Sequence, residues 1–129
     1  MKKWNCNRIM LVCSIGLLYV ARTHAADING AWAAKDKSAC SKIFEKIDNK
    51  IKIFGRGGYI IEGDEIRGKS DTCNIKARKD DKQFVRLLVE CSADIAENQL
   101  TLRIDGINKL TRIFPGMPEM NVAYFRCEQ

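Results

Sequence analysis

The sequence predicts an all-β protein: a small antiparallel up-and-down meander of about eight strands that closes into a barrel and carries two disulfides. Three observations lead there. Short apolar runs alternate with polar residues and are separated by polar turns at regular spacing. An even number of cysteines remains once an N-terminal export signal is set aside. A meander of this length in one small domain must bury a face and protect its edges, and closure does both.

Residues 1–25 carry the export signal. Lys2 and Lys3 supply a positive start, Ile9 to Ala21 an apolar run, and Thr23-His24-Ala25 a small-x-small cleavage site. The run is shorter than the roughly 20 residues a spanning helix needs, so no stable membrane anchor is expected. Lys2, Lys3, Arg8 and Arg22 leave with the signal and no acidic residue does, so the formal charge falls from +6 to only +2. The sole histidine, His24, leaves too. That excludes Ser-His-Asp and Cys-His catalysis and histidine-ligated metal from the single mature domain, residues 26–129, so no catalytic, cofactor-binding or metal residue is expected.

The mature elements follow in order. Asn29-Gly30-Ala31-Trp32 is a turn entering a first strand that ends near Ala34. Ser38–Lys46 reads either as a short helix, capped by Ser38 with Cys40, Ile43, Phe44 and Ile47 on one side, or as a strand over Lys42 to Lys46; the pattern leaves both open. Asp48-Asn49 breaks the run, and Ile51 and Ile53 alternate with lysines as a half-buried strand. After the glycine-rich loop 55–58, strands follow at Tyr59 to Gly63, Ile66 to Lys69, Thr72 to Arg78, Gln83 to Ser92, Leu100 to Ile104, Lys109 to Phe114 and Asn121 to Cys127. The turns between them are polar or glycine-bearing, and Pro115-Gly116-Met117-Pro118 makes a stiff loop.

Cys40, Cys73, Cys91 and Cys127 read as two disulfides of an oxidising compartment, periplasmic or secreted. Setting Cys73 opposite Cys91 aligns Ile75 with Val89 and Ala77 with Leu87, so the apolar faces of the two strands coincide. This register favours Cys73 to Cys91, which leaves Cys40 to Cys127, over the other two connectivities.

The same register sets Arg78 opposite Arg86 on the outer face, an unfavourable like-charge pair unless it meets an acidic partner or splays into solvent. Phe84 and Leu88 share that face and offer either a protein-contact patch or a surface for a covering segment. Met117, Pro118 and Met120 form a pre-stiffened apolar loop suited to a partner's cleft, or to covering the barrel's end. Glu62, Asp64 and Glu65 read as solvated turn residues. The low net charge and the lack of an aromatic ladder argue against nucleic acid.

Gly30-Ala31-Trp32 resembles the G-x-W signature of the lipocalin and calycin barrels. In those families the tryptophan packs at the closed end beneath an arginine from near the last strand, a role the resemblance assigns to Arg126. It requires adjacent Cys127 to face outward, towards the Cys40 segment. More broadly, the chain is similar in architecture to small exported bacterial β-barrel proteins, periplasmic hydrolase inhibitors among them. The expected protein is a monomeric, non-enzymatic binding protein that contacts or inhibits an extracytoplasmic protein. The alternative is a lipocalin-like carrier of a small apolar ligand.

Overall fold

The computed structural model describes residues 25–93 and 97–127. Residues 1–24 of the expected signal lie outside the described residues. The chain forms a closed eight-stranded antiparallel barrel. Strand β1 (Gly30–Ala34) enters it, followed by a 3-10 turn (Lys37–Ala39), helix α1 (Cys40–Ile43), and strands β2 (Phe44–Ile47) and β3 (Lys50–Ile53). Strands β4 (Gly58–Glu62), β5 (Glu65–Arg67), β6 (Thr72–Asp81), β7 (Phe84–Cys91), β8 (Glu97–Gly106), β9 (Lys109–Ile113) and β10 (Val122–Cys127) then run up and down around the barrel. β1 closes the ring by pairing with β4 on one side and β10 on the other.

Helix and strand both occur within Ser38–Lys46, because the four-residue α1 passes directly into β2. β2 and β3 stand apart from the barrel as a two-stranded hairpin. Asp48 and Asn49 both take positive φ at its turn, as a two-residue hairpin connection of matching twist requires. The strand expected at Ile51 and Ile53 therefore belongs to this appendage rather than to the ring.

The appendage gives the protein a second, smaller core. On β1, Trp32 points into the barrel while Ala31 and Ala33 point out, where Ile43, Ile60 and Cys127 cover them with Phe44, Ile51 and Ile53 alongside. The layer lies so close that a Cβ on Gly58 would meet Ile43 Cγ2 and Phe44 Cζ, each at 2.7 Å. Cys40–Cys127 fastens α1 to the outer face of β10 and Cys73–Cys91 joins β6 to β7. Both bonds are those the register favours.

The main core lies inside the barrel and comprises Ile28, Trp32, Ile61, Ile66, Val85, Leu87, Val89, Leu102, Leu110 and Tyr124. Two expected pairings, Ala77 with Leu87 and Arg78 with Arg86, are corrected. The register holds at Cys73 with Cys91 and Ile75 with Val89, then shifts by one residue, so Ala77 lies opposite Leu88, Arg78 opposite Leu87 and Lys79 opposite Arg86. A β-bulge at Lys76 is the cause, since an extra residue turns every later side chain of β6 to the other face. Arg78 therefore does not face Arg86 across the outer surface.

Candidate functional site

The two ends of the barrel are built differently. At the end where β1 begins, the segment before it folds under the barrel, and Ile28 is buried. The Trp32 indole N–H donates to Ile28 O at 2.9 Å. Arg126, paired with Trp32 across the β1–β10 seam, lays its guanidinium 4.3 Å from the Trp32 ring centre. Arg126 donates to the carbonyls of Ile107 (2.9 Å), Asp27 (3.0 Å) and Asn29. Cys127, the next residue, faces out to Cys40, as strand alternation demands.

Arg78, turned inward by the bulge, serves the same end. It donates to Ala26 O at 2.6 Å and holds Asp80 through Nε at 2.7 Å and Nη2 at 3.0 Å. The hydrogen bond from Arg78 keeps the Asp80 carboxyl below the usual carboxylate range. Two arginines thus hold the carbonyls of the incoming segment and close this end. A shallow depression of about 690 Å³ outside it, among Asp27, Asn29, Glu62, Asn108 and Arg126, offers little to a ligand, because Arg126 is spent on backbone.

Towards the other end the barrel is not filled. A cavity of about 410 Å³ runs from Trp32 past Tyr59, Tyr124, Ile66, Val89, Leu102 and Leu110 to a rim that includes Asp71, Asn98 and Arg112. Its size falls in the range of small-ligand sites, and its wall is mainly apolar with a few polar groups, the usual composition of such sites. The Tyr59 and Tyr124 rings lie 5.3 Å apart and tilted, with their hydroxyls 3.4 Å apart. Burial pushes the Tyr124 hydroxyl far above its ordinary pKa, and the hydrogen bond with Tyr59 adds to the push, so it stays a neutral polar group.

At the rim, Asp71 Oδ1 accepts from the Ser92 hydroxyl and from the backbone N–H groups of Thr72 (2.9 Å) and Ala93 (3.1 Å). The Ser92 bond foremost holds the Asp71 carboxyl below its ordinary range. Asp71 also stands beside the sulfurs of Cys73 and Cys91, but these are bonded to each other and offer no thiolate to a metal. Opposite, on β9, Arg112 projects into the cavity, with its guanidinium 4.5 Å from the Phe114 ring centre.

The residues expected to meet a protein partner divide. Phe84 and Arg86 point outward on β7 and line an external groove with Thr101, Ile113 and Pro115. Met117 and Met120 are 49% and 51% exposed around the turn Pro118–Met120. Arg78 is not part of this surface. Sequence reasoning did not single out Arg112, Tyr59 or Tyr124, although strict alternation along β9 and β10 places Arg112 and Tyr124 on the inward face with Leu110.

Among the described residues, no helix is long and apolar enough to cross a membrane. Two disulfides point to a compartment outside the reducing cytoplasm. Comparison with protein-family models, curated proteins and solved structures finds no match to this chain.

Proposed function

We propose that this is a non-enzymatic binding protein, exported to the periplasm or the exterior, whose barrel receives a small and largely apolar ligand. The interior cavity of about 410 Å³, floored by Trp32 and walled by Tyr59, Leu102, Leu110 and Tyr124, is the observation that carries this reading. A barrel built only as a scaffold gains by packing its interior to crystal-like density, because each unfilled volume forgoes dispersion contacts. The closed end and the cavity together give the shape of a container. No nucleophile and base stand together in it among the described residues.

Native mass spectrometry of the protein purified from its own host, without reductant, is the test. A retained small molecule is expected, along with a fluorescent apolar probe that enters the empty protein and is excluded by Leu102→Phe, which fills the cavity from the β8 wall. A protein that arrives bare and takes no probe refutes the reading.

A second reading keeps a protein partner, because the outer groove joins Phe84 and Arg86 to the Pro115 end of the methionine loop. A stoichiometric protein adduct in the same spectrum, lost in Met117→Asp and in Arg86→Glu, supports it.

A further inference from the structure

We infer that the cavity selects ligands carrying a carboxylate on an apolar body, and that Arg112 is the residue that anchors the carboxylate. The inference rests on the cavity reading above and adds the class of ligand.

Arg112 lies opposite Leu102 on one side and Val122 on the other, all three on the inward face of their strands. Its guanidinium is therefore at the wall of a mainly apolar chamber. The guanidinium carbon lies 4.5 Å from the Phe114 ring centre, a contact that holds the group in place while satisfying none of its N–H donors. Other arginines of the protein show how such donors are normally used. Arg78 and Arg103 pair with Asp80 and Asp105, Arg67 with Glu62 and Glu65, and Arg126 with three carbonyls. Among the described residues, no carboxylate or carbonyl accepts from Arg112.

A guanidinium that is half-buried beside apolar walls is costly without an anion, and its planar fork matches a carboxylate bidentately. The hydroxyls of Tyr59 and Tyr124 lie in the same chamber and supply further polar contacts. Asp71, the acid on the rim, has Oδ1 engaged by three donors of its own strand ends and does not reach across to neutralise Arg112. The apolar body of the ligand then lies along Leu102, Leu110 and Val89 towards Trp32.

Calorimetric titration with octanoate and with 1-octanol separates the parts of the argument, since the two share an alkyl chain and differ in the head group. The wild-type protein is expected to bind octanoate about tenfold to a hundredfold more tightly than 1-octanol, the range for hydrogen bonds to a charged partner. Arg112→Gln is expected to bring octanoate down to the level of 1-octanol. If wild-type protein binds the alcohol as tightly as the acid, the anchor is refuted while the cavity reading stands, and this comparison needs no variant. Retention of octanoate affinity in a folded Arg112→Gln protein also refutes the anchor. If neither compound binds, the cavity reading falls, and the anchor with it.

Discussion

Replacing Arg126 by methionine removes the guanidinium while keeping an unbranched apolar stem against Trp32, so the change isolates the head group. Arg126 donates to the carbonyls of Asp27, Asn29 and Ile107, and these belong to two separate pieces of chain, the segment entering β1 and the turn between β8 and β9. The site is partly exposed, so each bond is taken at the ordinary net value of about 0.5 to 1.5 kcal/mol rather than at the value for a buried charge. Loss of the contact with the indole adds about 0.5 to 1 kcal/mol. Three bonds and one ring contact together come to about 2 to 5 kcal/mol. At roughly 4 to 8 °C per kcal/mol for a domain of this size, the variant should melt about 8 to 40 °C below wild type. Thermal and urea unfolding followed by circular dichroism measure it, and Arg126→Lys should fall between the two because an ammonium keeps the charge but not the fork. An Arg126→Met protein within about 0.5 kcal/mol of wild type, the usual effect of an unimportant surface change, would show that the guanidinium does not hold this end together.

Removing each disulfide should rank their contributions by the chain they enclose. Cys40 and Cys127 are 87 positions apart and Cys73 and Cys91 only 18, which by loop-closure entropy gives about 4.5 and about 3 kcal/mol. Paired serine substitutions compared by urea midpoint should therefore place the Cys40/Cys127 variant lower, and the reverse order defeats the argument. Asp80 supplies a pH test. Its carboxyl is held low by Arg78, so its stabilising effect is fully present above the unfolded aspartate pKa of about 4 and is lost as the pH falls through the lower folded value. Asp80→Asn should be less stable than wild type at pH 7, with the gap closing in acid; a gap that stays constant to pH 2 contradicts it.

Much of the ring was legible because strand alternation is a two-residue rule and the barrel obeys it on β1, β7 and β10, and on β8 as far as Ile104. The cysteine register worked for the same reason, since Cys73, Ile75, Val89 and Cys91 lie on the near side of the bulge. Arg78 was misplaced because a single extra residue at Lys76 inverts the pattern, and no glycine or proline marks the spot. The hairpin of β2 and β3 was visible as strand but not as an appendage, because its lysine-rich alternation is that of any half-exposed edge. The cavity was illegible for a deeper reason. Leu102 and Leu110 look alike in sequence whether they meet another side chain or an empty volume, and which of these occurs depends on how far apart the closed strands hold them.

The seam between β1 and β10 also orders events in time. Gly30–Ala34 has one neighbour in β4, but its other partner is the last strand, so Ala31 meets Cys127 and Trp32 meets Arg126 only after nearly every intervening residue has been made. A chain delivered N-terminus first therefore cannot complete its hydrogen-bond ring while any of β10 is missing, and contacts of such long sequence separation are slow to form. Until then β1 and β9 each present an unpaired edge, the surface on which strands of separate molecules join. A chaperone that shields those two edges during emergence should raise the yield of folded protein.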